Sequence, residues 1–365
     1  MNGRRTFRML VVAGAIALTA AQAAGTASAS TSPRTPARVG AGGAAVGISY
    51  VANAFGGSVT EYGYGAYGNV IPIATLYGAA TGLHSPQAVV LDAAGVLYVS
   101  NGDTATITEY APGANGNAAP IRMIAGSNTT LYSPSGLAID SAGTLYVADG
   151  PFPTGVREFA AGADGDVAPI RFINGPDTGF SVISGLAFDA AGTLYVTNSP
   201  GYYNTNSITE YPAGADGDAV PIRTITGSST GLNTPKGAAI GSDGTLYVAN
   251  FLGDSITGYA PGADGNAAPI RTISGSNTGV FQPTLLAIDA ADTLYVPESA
   301  AVTEYAAGAS GNVAPVRTIA GSRTGLNGPN GVTVTALPGP PGPPTGVTAT
   351  AAEASASVSW SPPAS

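Results

Sequence analysis

A tyrosine-centred apolar strand returns six times along this chain, five times behind a second apolar strand and a short turn. This repetition constrains the fold more than any single residue does. The tyrosine of the (Leu/Ser)-Tyr-Val core falls at Tyr50, Tyr98, Tyr146, Tyr195, Tyr247 and Tyr295, with spacings of 48, 48, 49, 52 and 48 residues. A period of this length signals propeller blades, each too small to bury its own faces and stable only against its neighbours.

The third repeat shows the internal plan. Gly136 to Asp140 is largely apolar, Ser141-Ala142-Gly143 supplies a turn, and Thr144 to Ala148 reads as a second strand rich in β-formers. Val156-Arg157-Glu158-Phe159 is the third strand, and Ala163-Asp164-Gly165-Asp166 makes the next turn, where Asp and Gly tolerate the backbone that tight hairpins require. Pro169 to Ile173 is the fourth strand, its proline at the start, where a missing N–H costs no ladder bond. Fourth strands are expected at Ile71, Ile121, Ile170, Ile222, Ile270 and Val316.

Strand counting predicts the closure. Second, third and fourth strands each occur six times, but turn-linked first strands begin only at Ala88, Gly136, Gly185, Gly237 and Leu285. Gly47 to Val51 has no strand ahead of it, and Gly331 to Thr335 has none after it. The expected fold is therefore all-β: a six-bladed β-propeller of four-stranded blades over residues 47–336, closed by a C-terminal strand that completes the N-terminal blade.

Pro-x-Gly-(Leu/Ala)-Ala-(Ile/Phe)-Asp-x-x-Gly-Thr-Leu-Tyr-Val at 134–147, and approximately at 235–248, resembles the NHL-repeat propeller family. The Ile-Thr-Glu-Tyr strands resemble those of streptogramin lyase. The resemblance implies the propeller fold; these families range from scaffolds to enzymes, so it carries little about activity.

The ends read as separate units. Arg4, Arg5 and Arg8, the apolar run from Met9 to Ala20 and Ala27-Ser28-Ala29 form an export signal over residues 1–29, with a twin-arginine-like element at Arg4-Arg5. The apolar run is shorter than the roughly 20 residues a span needs, so no stable membrane insertion is expected after cleavage. Residues 30–46 are a flexible lead-in, and 337–344 a stiff Pro/Gly linker. Residues 345–365, with Trp360, resemble the first two strands of a fibronectin type III domain, a truncated segment of a unit that needs about 100 residues.

Composition agrees with a secreted or cell-surface location. Without the three leader arginines the chain keeps 10 basic against 22 acidic residues, a poor match for nucleic acid. There is no cysteine, which removes disulfides and thiolate chemistry, and Lys236 is the only lysine.

Alternating strand directions place the loops after second strands and before first strands on one face, where a site is expected. Second strands end in Asn53, Asn101, Asp149, Asn198, Asn250 and Glu298. They read either as a ring of oxygen ligands at the channel mouth, with Asp149, Asn198 and Glu298 as candidate Ca²⁺ ligands, or as turn caps that bond to backbone. Tyr202 and Tyr203, in the longest loop of this face, are a candidate contact platform. On the opposite face the Asp164-Gly-Asp166 and Asp216-Gly-Asp218 turns read as hairpin residues or, less fittingly, as calcium sites, and the arginines shortly after them would neutralise part of this acidic rim. His84, the only histidine, stands where other repeats carry Asn. No catalytic residue is assigned and no cofactor beyond Ca²⁺ is implied. The near-uniform repeats favour a secreted, non-enzymatic scaffold binding a protein or glycan; the alternative is a metal-dependent propeller enzyme of lyase or lactonase type.

Overall fold

The computed structural model describes residues 48–150, 153–200 and 206–335, and the backbone of strands at Phe7–Leu10, Thr345–Ala352 and Ser355–Ser361. Residues 48–335 form six four-stranded antiparallel sheets. The third is Pro134–Ile139, Leu145–Asp149, Gly155–Phe159 and Arg171–Ile173, and the others repeat it.

Strand periodicity explains the packing. Along Leu145–Asp149, Tyr146 and Ala148 face the fourth blade, where they meet Leu186 and Leu194. Leu145 and Val147 face the second, against Tyr98 and Ile107. A central strand buried on both faces reads as a continuous apolar run, which is why every residue of Leu145–Asp149 is buried.

The ring closes as the strand count predicts. Pro329–Val334 pairs antiparallel with Ile48–Asn53, setting Val51 opposite Val332. Val51, Tyr62 and Val332 then pack with Tyr295, Val302 and Ile319 of the sixth blade.

The fourth strands differ from expectation in one register. The first blade's runs from Ala74 to Tyr77, and Ile73 rather than Ile71 takes the repeat position. The Ile73 N–H donates to the Glu61 carbonyl at 2.8 Å, as Ile121 does to Glu109 at 2.7 Å. Ile71-Pro72-Ile73 offers two isoleucines around one proline, and the ladder selects the one after it.

Each outer edge is covered by the next blade. The turn before a fourth strand reaches back and forms a parallel bridge to the preceding blade, as in Ile124↔Gly165 and, across the closure, Gly68↔Ile319. The Asp-x-Asp turns are these clamps. Asp164 Oδ1 accepts from the Met123 N–H at 3.0 Å and Asp166 Oδ1 from the Asn128 N–H at 2.6 Å. Gly126 holds φ at 121°, and a Cβ there would lie 2.4 Å from the Asp166 carboxylate, so the turn needs glycine. Asn69 closes the series by accepting from the Arg323 N–H at 2.7 Å.

Outside the ring, Phe7–Leu10, Ser355–Ser361 and Thr345–Ala352 form a separate three-stranded sheet. The two strands expected in the C-terminal segment thus pair as an antiparallel hairpin. The rest of the leader, most of the lead-in and the linker lie outside the described residues.

Candidate functional site

The six second-strand ends sit on the predicted face, but their side chains turn into the blades. Asn53, Asn101, Asp149, Asn198 and Asn250 are fully buried and Glu298 nearly so. In four blades an Asn donates to a third-strand threonine, as Asn101 does to Thr108 at 3.1 Å, and its Oδ1 accepts from the loop ahead of a first strand, as from the His84 N–H at 3.0 Å. Each such residue ties the loop ahead of a first strand to the third strand of its blade.

Two blades depart from this pattern. In the third, Asp149 replaces Asn and Arg157 replaces Thr, with Nη1 of Arg157 2.7 Å from Oδ2 of Asp149 and both side chains fully buried. Asp149 also accepts the Tyr132 and Ser133 N–H groups, so its oxygens are engaged. In the sixth, Glu298 accepts the Thr303 hydroxyl at 2.6 Å, and burial pushes its carboxyl up to about 7. Among the described residues no three of His, Cys, Asp and Glu gather in a metal-holding group. Tyr202 and Tyr203 lie outside the described residues. The His84 side chain is exposed and does not line the central basin described next.

The arginines after the clamp turns do not neutralise the turn aspartates. Arg122, Arg171, Arg223 and Arg317 instead bind Glu109, Glu158, Glu210 and Glu304 across third and fourth strands, at 2.6–2.7 Å. Antiparallel pairing sets these residues directly opposite, which is closer than any turn carboxylate.

The polar groups that do converge come from another repeat position. Each first strand opens on Pro-x-Gly or its equivalent, and in most blades the register slips there: Pro235 pairs with Asn250 and Ala238 with Val248, leaving Lys236 and Gly237 opposite one residue. Such a bulge re-aims its side chain. The glycine is required because first strands crowd the axis: a Cβ on Gly185 would lie 2.3 Å from the Lys236 carbonyl, and one on Gly237 2.3 Å from that of Thr284.

The result is a basin of about 380 Å³ at the channel mouth, lined by the x residues Gln87, Ser135, Ser184, Lys236 and Asn330 together with Leu285. Ser133, Thr154, Val182, Ser199 and Thr234 extend it towards the third to fifth blades, making it asymmetric. In the sixth blade the x residue Thr284 is buried instead, its hydroxyl donating to the Pro297 carbonyl. Further down, Val89, Leu137, Leu186, Ala238, Leu286 and Val332 line a narrower space of about 40 Å³.

Within the basin, Asn330 Nδ2 donates to Gln87 Oε1 at 2.6 Å, while Gln87 Nε2 donates to the Ser85 carbonyl. The Lys236 ammonium rests 3.9 Å from the Phe251 ring centroid, a cation–π contact, and burial lowers its pKa. The described lining holds no histidine and no carboxylate. This ring stands in the sequence as the variable position of the Pro-x-Gly step, where Gln, Ser, Lys, Thr and Asn interchange.

The chain matches no protein-family model and no curated protein. Solved structures do share its architecture. A protein of unknown function from Bacteroides caccae is similar at TM-score 0.57 and 12% identity, over 80% of this chain and 99% of that one. A streptogramin B lyase is similar at TM-score 0.50 and 13% identity, over 86% of this chain and 93% of that one. At such identities the likeness shows the fold alone: the protein is a six-bladed propeller resembling the streptogramin B lyase fold.

Proposed function

We propose that this is a secreted, non-enzymatic propeller that binds a glycan or a protein partner at the channel-mouth basin. The observation that carries the reading is the lining. Amides, hydroxyls and one ammonium converge there from five blades, on a face whose other repeat residues are committed to holding loops. Amide and hydroxyl groups recognise polar ligands, and the volume falls within the roughly 300–1,000 Å³ of ordinary ligand sites. Export rests on the Arg4-to-Ala29 leader pattern.

The test is a screen of the full chain against glycan and secreted-protein arrays, with and without chelator. Chelator-insensitive capture of an unaltered ligand supports the reading. Turnover of a captured ligand, or binding that needs a divalent cation, would favour the metal-dependent lyase or lactonase alternative.

A further inference from the structure

The geometry points to a saccharide bearing a carboxylate, a uronic acid unit, as the ligand of the basin, with the Lys236 ammonium receiving the carboxylate and the Gln87 and Asn330 amides the ring hydroxyls. This rests on the basin being the binding site.

The chain is acidic overall, at a net −9, and carries one lysine. That lysine lies in the basin, where the described lining holds no carboxylate, and it takes part in none of the ion pairs among the described residues. Among the described residues its ammonium contacts the face of Phe251, which attracts the charge without neutralising it. The arginine–carboxylate pairs among the described residues include no residue of the basin lining, so the basin holds a cation with no carboxylate beside it within a negative molecule. A concave site of one sign focuses the field and favours an anion.

The remaining lining sets the kind of anion. Gln87 and Asn330 are already bonded to each other, Gln87 Nε2 donates to Ser85 and Ser135 Oγ donates to the Ala148 carbonyl, so Gln87 and Ser135 are left to accept while the Asn330 amide and the Ser184 hydroxyl both donate and accept. Sugar hydroxyls have the same dual character. A phosphate would call for several donors of charge or a backbone nest, and the basin has one ammonium. Half-exposed Tyr132 and Phe281, on the loops of the same face, offer rings for sugar stacking.

Because Lys236 is the only lysine, ε-¹³C-lysine labelling of the full chain gives one side-chain signal from this site. Titration with trigalacturonic acid is expected to shift that signal and to saturate, while neutral maltotriose leaves it in place. The substitution Lys236→Met is expected to weaken trigalacturonate binding by about tenfold or more, since a hydrogen bond to a charged group contributes roughly that factor, and Lys236→Arg to retain part of it. Ser184→Trp, which fills the basin, is expected to abolish binding. Equal binding of both trisaccharides, unchanged by Lys236→Met yet lost in Ser184→Trp, overturns the carboxylate and leaves the basin standing. Binding that survives Ser184→Trp overturns both. Binding of neither probe overturns the uronic acid and returns the basin to protein partners.

Discussion

Glu61 lies directly across the ladder from Ala74, at the position where Glu109, Glu158, Glu210 and Glu304 each face an arginine. It is buried, and burial pushes its carboxyl up to about 7. The folded carboxyl holds its proton to about pH 7 and the unfolded one only to about 4.5, so the folded state binds more protons in between. Stability should therefore decline as pH rises from about 4.5 to 7, by on the order of 1–3 kcal/mol from this group. Glu61→Gln should flatten that part of the profile, and Ala74→Arg should restore the pair and stabilise at pH 8, read by urea denaturation at both pH values. A profile unchanged in Glu61→Gln would refute this.

Asp149 and Arg157 replace the Asn–Thr pair as a unit. Arg157 Nε donates to Thr130 Oγ1 at 2.9 Å and its guanidinium lies 4.1 Å from the Phe172 ring centre. Arg157→Thr alone should strand a buried carboxylate and cost about 3–5 kcal/mol. Adding Asp149→Asn should recover most of the loss, because the pair then matches the other blades. Additive losses in this double-mutant cycle would contradict the exchange.

Ring closure depends on Pro329–Val334. Deleting residues 329–335 exposes the long Ile48–Asn53 edge and unpacks Val51 and Tyr62. Tm should fall by on the order of 10 °C, or the cooperative transition should vanish, because several kcal/mol of packing are lost at once. An unchanged calorimetric melt would show that the blade stands without its fourth member.

The Asp-x-Asp turns are blade clamps. Asp166→Ala removes the acceptor of the Asn128 N–H and should cost about 1 kcal/mol. The loss should be the same in calcium and in chelator. A melting temperature that drops with chelator only in the wild type would mean that the turn holds a cation.

The blade number, the strand order and the closing strand were legible because a two-sided β core leaves a period of apolar strands and turn glycines that survives divergence. Side-chain direction was the point left open between ligand ring and turn cap. Asn101 ends a strand on the expected face, but whether its side chain enters the channel or the blade depends on strand parity and on the bulge in the neighbouring first strand, which no spacing reveals. The arginine partners were missed likewise, since Arg122 is nearer in sequence to its own turn than to Glu109, yet directly opposite Glu109 in the sheet. The Gln87–Lys236–Asn330 ring was present in the motif as a variable position; only the bulge shows that it points to the axis. Ile71 and Ile73 illustrate the smallest such error, a two-residue register that only the Glu61 hydrogen bond settles.

The proposed ligand is expected to enter the channel-mouth basin. The most direct measurement is a binding isotherm of whichever glycan or protein the arrays capture, comparing the wild-type chain with Ser184→Trp at matched melting temperature. The basin-filled variant should keep its fold and lose binding. Full affinity in that variant would place the site elsewhere and contradict the account.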